Sequence, residues 1–121
     1  MHEMAIATEL LQQVLAVAAE HGAGRVEEVT VRCGVLRQVV PEALETAFTV
    51  IARGTPADGA ALKTEEEAAE ARCRPCGRLF ECRVDDYLCP ACGQADVEFV
   101  RGHQILLTSV VCREHNGAST P

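Results

Sequence analysis

Apolar residues recur at helical intervals over the first twenty positions. Ile6, Leu10, Val14 and Val17 form one stripe, and Leu11, Leu15 and Ala18 lie beside it. This predicts an amphipathic helix from Glu3 to about His21, ended by Gly22 and Gly24. From Arg25 to Gly34 the period changes to two, with Val29, Val31 and Cys33 on one face and Glu28, Thr30 and Arg32 on the other, as in a half-buried strand. A second helix starts at Pro41, whose fixed φ suits a first turn, and carries Leu44, Ala47, Phe48 and Ile51 at i, i+3, i+4 and i+7. Gly54 stops it, and Thr55-Pro56-Ala57-Asp58-Gly59 reads as a turn. Leu62 to Glu70 is acidic and weakly patterned, and is read as a strand leading outward. Ile105 to Cys112 is an apolar, β-rich run long enough for a strand buried on both faces. Glu114 to Pro121 is small and polar, which predicts a disordered tail.

The predicted order is helix, strand, helix, strand, a cysteine-bearing segment, strand, without internal repeat. A last strand that is apolar on both faces is expected to return into the first sheet, which makes the cysteine segment an insertion. The expectation is an α/β or α+β domain, a small mixed sheet with two helices, over residues 1–70 and 104–113. A rubredoxin-like ribbon is inserted at 71–103, and 114–121 form the tail.

Length and composition narrow the class. At 121 residues the chain fits one modest domain with a small metal-held insertion, too little for a large enzyme. Hydrophobic residues are 48% of the chain and aromatics 3%, so the core must be aliphatic. A formal charge of -7 repels phosphate backbones and argues against nucleic acid. No apolar run approaches the roughly 20 residues needed to span a bilayer. No basic segment precedes an apolar stretch at the N-terminus, which points to a cytoplasmic protein. No Ser/His/Asp set or acid pair suggests an enzyme.

Seven cysteines in such a chain point to metal rather than to a disulfide framework. Cys73-Arg74-Pro75-Cys76 and Cys89-Pro90-Ala91-Cys92 are two C-x-x-C pairs separated by twelve residues, each followed by a glycine, Gly77 and Gly93. Two such knuckles bring four thiolates to the corners of a tetrahedron, the closed geometry of structural zinc. A thioredoxin-like redox pair would need only one of them and would leave the second unexplained. Cys82 inside the ribbon, and Cys33 and Cys112 on strands, read as small buried residues rather than ligands.

The chain opens Met1-His2-Glu3. A free amine, the amide nitrogen of residue 2 and imidazole Nδ1 close five- and six-membered chelate rings on one metal. A deprotonated amide nitrogen favours Ni(II) or Cu(II) over zinc. On the tripeptide alone a second reading stands beside this one: an exposed histidine, and a glutamate answering the helix dipole.

Met1-His2-Glu3-Met4 opening a helix, Gly34-Val35-Leu36, the run Val40-Pro41-Glu42-Ala43-Leu44-Glu45-Thr46-Ala47-Phe48, Gly54-Thr55-Pro56 and the two cysteine pairs together resemble the HypA family. The resemblance runs from Met1 to about Val111. It implies a nickel-binding α/β domain with an inserted zinc ribbon. It also implies delivery of nickel to the large subunit of [NiFe]-hydrogenase with a HypB-type GTPase, and some relatives support urease. Nickel, the cargo, falls by this resemblance on Met1, His2 and Glu3, and structural zinc on Cys73, Cys76, Cys89 and Cys92. The pattern departs from the family in two places. Arg72 and Gly93 flank the pairs where some relatives carry histidines, and residues 77–88 lack the histidine that supplies other relatives with a further nickel ligand. The fourth nickel ligand is therefore open between the Glu3 amide or carboxylate, a partner group and water. His21 and His103 read as surface residues, and the chain as monomer or homodimer. The rival from another class is a zinc-ribbon adaptor for nucleic acid or a protein partner. Such ribbons show a basic face, whereas Arg72, Arg74, Arg78 and Arg83 here are offset by Glu81, Asp85 and Asp86.

Overall fold

The structure, a computed structural model, describes residues 2–114. Its elements are helices α1 (Glu3–Glu20) and α2 (Pro41–Ile51), with strands β1 (Ala23–Gly34), β2 (Ala61–Glu67), β3 (Ala69–Cys73), β4 (Leu79–Cys82), β5 (Val97–Arg101) and β6 (Ile105–Glu114). A 3-10 turn, Val35–Arg37, follows β1. Strands form two three-stranded sheets, ordered β2-β1-β6 and β4-β3-β5. The chain divides into two compact units: Met1–Val31, Val39–Thr64 and Leu107–Pro121 make the first, and Arg32–Gln38 with Glu65–Leu106 the second.

In the first unit α1 and α2 pack on each other. Its core is aliphatic apart from Phe48: Ala7, Leu10, Val14 and Ala18 meet Val26, Val29 and Val31, with Leu44, Ala47 and Phe48 from α2. Burying side chains such as Leu44 and Phe48 contributes about 1.5–3 kcal/mol each. The buried line of α1 runs through Ala7 and Ala18, while Ile6 and Val17 are only half-buried. The helical face is thus turned slightly from the expected stripe, because alanines allow the closest approach of neighbouring backbones. Pro41 sits at the start of α2, and Gly54, at φ 78, ends the helical run in the left-handed region that favours glycine.

β6 does join β1's sheet, but at its edge rather than its centre. The expectation of burial on both faces fails: Leu106 and Val111 are 40% and 42% exposed. An apolar run marks a central strand only if neighbours flank both sides, and here one flank has none among the described residues. The predicted tail begins after β6, since Glu114 still belongs to the strand, and residues 115–121 lie outside the described residues.

The second unit is built on β3, which pairs antiparallel with β4 (Ala69↔Cys82, Ala71↔Phe80) and with β5 (Arg72↔Glu98, Cys73↔Val97). Its core is small: Ala69, Ala71, Cys73, Phe80, Cys82 and Cys89, with Val35, Leu36 and Val97 packed against it. The acidic strand read as Leu62 to Glu70 is interrupted at Ala68, and β5 has no counterpart in the sequence reading. A backbone clasp lies beside that break. A Cβ on Gly102 (φ 83) would come within 2.8 Å of Ala69 Cβ and closer still to its Cα. Gly34 N–H donates to Gln104 O at 2.8 Å and Leu36 N–H to Gly102 O at 2.9 Å, while Gly102 N–H donates to Glu67 Oε1 at 3.3 Å. Only glycine gives both the positive φ and the close approach at residue 102.

Candidate metal centres

The two cysteine pairs fold as the same local device twice. In the first, Cys73 N–H donates to Arg78 O (2.8 Å) and Gly77 N–H to Cys73 O (2.7 Å). In the second, Cys89 N–H donates to Gln94 O (3.0 Å) and Gly93 N–H to Cys89 O (2.8 Å). Gly77 (φ 78) and Gly93 (φ 73) turn each loop through the left-handed region, which explains a glycine after each pair. The first cysteine of each pair is buried and the second exposed.

The turns bring the four thiols together. Cys73 and Cys92 Sγ are 3.5 Å apart, Cys76 and Cys89 Sγ 3.7 Å, and all four lie within 4.8 Å of one another. Thiolates at about 2.3 Å from a tetrahedral zinc stand about 3.8 Å from each other, so this donor set fits that ion. Among the described residues this is the one cluster of three or more side chains able to hold a metal.

The electrostatics suit metal capture. At Cys89 burial works against ionisation. The N–H groups of Cys92 and Ala91, with the thiols of Cys76 and Cys73, more than offset it and lower the thiol to about 6. At Cys73 the Cys76 N–H favours the thiolate. Burial and the thiols of Cys92, Cys76 and Cys89 outweigh it and push the group up to about 12. The neighbouring Cys73 and Cys89 are thus pushed in opposite directions, Cys89 yielding its proton easily and Cys73 holding its own tightly. A divalent cation held by these thiols would favour their deprotonated form.

Sequence reasoning took Arg74 only as a ribbon charge. Its N–H donates to Asp96 O at 3.0 Å, and its Nη1 bonds Asp96 Oδ1 (2.9 Å) and Val97 O (3.1 Å), tying the first knuckle to the start of β5. No spacing signal marks that pairing. Cys82 is 4% and Cys33 8% exposed, and burial pushes both thiols up. Cys82 lies outside the four-thiol cluster although it belongs to the ribbon. Cys112 is half-buried rather than in the core.

At the other end of the chain, His2 is exposed and its carbonyl accepts the Ile6 N–H at 3.0 Å, the first bond of α1. Glu3, in the first turn, places Oε2 3.0 Å from the Val40 N–H, just ahead of α2. That bond, followed by one from its own backbone N–H, lowers the Glu3 carboxyl below its ordinary range. The glutamate offered by sequence as a nickel ligand or dipole partner thus also ties the N-terminal segment to residue 40. Met1 lies outside the described residues. His21 and His103 are both exposed, as expected.

Comparison with known proteins now adds to this geometry. Residues 1–112 match the family described as "Hydrogenase/urease nickel incorporation, metallochaperone, hypA". A hydrogenase maturation factor HypA from Archaeoglobus fulgidus is 41% identical over 111 residues, covering 92% of this chain and 97% of that one. One from Chlorobium limicola is 38% identical over 114 residues, covering 94% and 98%. The solution structure of the Ni metallochaperone HypA from Helicobacter pylori superposes with a TM-score of 0.72 at 23% identity, covering 93% of this chain and 97% of that one, a likeness of fold.

Proposed function

The chain belongs to the HypA family, hydrogenase and urease nickel-incorporation metallochaperones that serve as maturation factors rather than enzymes, and from that premise we propose that it carries Ni(II) on Met1, His2 and Glu3. Nickel is cargo here. The Met1 amine, the His2 amide nitrogen and the His2 Nδ1 are donors on adjacent residues, and together they reach one square-planar ion without help from tertiary structure. The Glu3 carboxylate, held by the Val40 N–H, anchors this segment, and the fourth position falls to the Glu3 amide or carboxylate, a partner group or water. Each donor must shed its proton to bind, so nickel is held at neutral pH and released by acid.

Cys73, Cys76, Cys89 and Cys92 hold one structural zinc in this reading. Bound by all four thiolates, such an ion would cross-link the two knuckles with no position left for water, so its part would be to hold the fold. The chemistry that supports it is the donor set, four thiols within 4.8 Å. We assign residues 71–103 as the inserted ribbon and 1–70 with 104–113 as the nickel-binding domain. The receiving protein is the large subunit of a [NiFe]-hydrogenase or a urease, reached with a HypB-type GTPase in the cytoplasm. No helix among the described residues is long and apolar enough to cross a membrane.

The observation that carries the nickel site is the exposed His2 at the start of α1, beside the anchored Glu3. The test is calorimetry with Ni(II) on tag-free protein. His2→Ala should lose nickel binding while zinc content and helix signal stay as in the parent. Parental nickel affinity in His2→Ala would refute the site.

A further inference from the structure

The sheet β2-β1-β6 has two edges, and they are built differently. β2 carries Lys63, Glu65, Glu66 and Glu67 in seven residues. Charges of that kind keep an edge from pairing with a foreign strand. From Leu107 to Cys112 β6 carries no charge, no proline and no glycine. Thr108, Ser109 and Val111 are exposed there, Val111 by 42%. Beside this part of the strand runs a groove of about 410 Å³, lined by Val17 and His21 of α1 and by Leu107, Val110 and Cys112 of β6 among others. Among the described residues one edge is defended, and the other is unpaired, uncharged and next to a groove.

We propose that β6, from Leu107 to Arg113, receives an extended segment of another protein, which pairs with it as a fourth strand and seats alternate aliphatic side chains in the groove. Two observations select that occupant over a second copy of this chain. Each copy carries a formal charge of -7, so two copies repel, whereas a basic segment is attracted. A seven-residue edge also buries far less than the roughly 1,600 Å² of a stable protein pair, which suits a strand taken up and released. The segment is therefore β-branched or aliphatic on alternate residues, with lysine or arginine at its ends. This inference does not depend on either metal assignment.

The probe is a synthetic peptide, acetyl-Lys-Val-Thr-Val-Thr-Val-Lys-amide, with an analogue N-methylated at every residue that cannot donate ladder hydrogen bonds. Each is titrated into the zinc-loaded full chain and followed by amide NMR shifts and hydrogen exchange. The expected result is shifts confined to β6 and the groove-lining turn of α1, with binding about tenfold weaker for the methylated analogue. Ser109→Lys and Val111→Lys alter exposed positions, so both should keep zinc content and the remaining spectrum while weakening the parent peptide by about tenfold. The proposal is overturned if neither peptide binds, if both bind equally, or if the shifts lie elsewhere. It is equally overturned if sedimentation shows the peptide-free chain to be a dimer with β6 amides already protected.

Discussion

Replacing Cys76 by serine separates the metal's contribution from that of packing. Cys76 is exposed, so the change removes a thiolate without opening a cavity, unlike the same change at Cys73 or Cys89, which are fully buried. Structural zinc sites contribute roughly 10–16 kcal/mol of apparent binding free energy, or about 2.5–4 kcal/mol for each of four equal thiolates. Cys76→Ser should therefore weaken zinc binding by about a hundred- to a thousandfold. The second unit has little to replace that loss, because Phe80, itself 9% exposed, is the only large side chain among the described buried residues of its core cluster. In the first unit Leu10, Val14, Val29, Leu44 and Phe48 pack without any metal-linked residue. The assay pairs zinc competition against a chromophoric chelator with hydrogen exchange read by segment. Protection in β3, β4 and β5 should fall in the variant, while α1, α2 and residues 23–31 keep theirs. Zinc affinity within threefold of the parent, or loss of protection in α1, would refute this reasoning.

Three further outcomes follow from single contacts. The Glu3 carboxyl is lowered in the folded chain, so its bond to Val40 is fully present above the ordinary carboxylate range and is lost as pH falls through the lower folded value. The Val40 amide resonance should titrate below that range in the parent and not in Glu3→Ala; a titration that persists in Glu3→Ala would exclude the anchor. Gly102→Ala should destabilise the zinc-loaded second unit by about 3 kcal/mol or more through collision with Ala69, whereas Gly22→Ala, at φ 65 with open space around it, should cost only about 1 kcal/mol. Equal costs in chemical denaturation would remove the clasp from the account. Cys33→Ala should leave zinc stoichiometry at the parental value by mass spectrometry, and a metal-free variant would make Cys33 a ligand.

The sequence made both helices legible because their apolar residues repeat at 3.6 and their ends carry glycine and proline, signals that act within one turn. The four thiols were legible for a similar reason: each pair is local, and a glycine after it meets the positive φ of the knuckle. Features set by distant neighbours were not. β6 has the composition of a central strand, and only the sheet order makes it an edge. Ala68 and Gly102 look ordinary in the sequence. Their importance comes from three backbone segments meeting at Gly34, Ala69 and Gly102. The bond from Val40 N–H to Glu3 joins residues 37 apart in sequence and leaves no periodic trace.

The central claim is that the N-terminal residues themselves form the nickel site. Adding an acetylated glycine before Met1 keeps every side chain but leaves no free amine to close the five-membered ring with the His2 amide, whereas an uncapped glycine would build a new amine, two-amide and imidazole site with His2 as its third residue. The decisive measurement is nickel and zinc stoichiometry by calorimetry and mass spectrometry on the native chain and on the acetylated, extended form. The account expects one nickel and one zinc per chain in the native protein, and zinc alone in the extended one. An extended chain that binds nickel with native affinity and stoichiometry would contradict it.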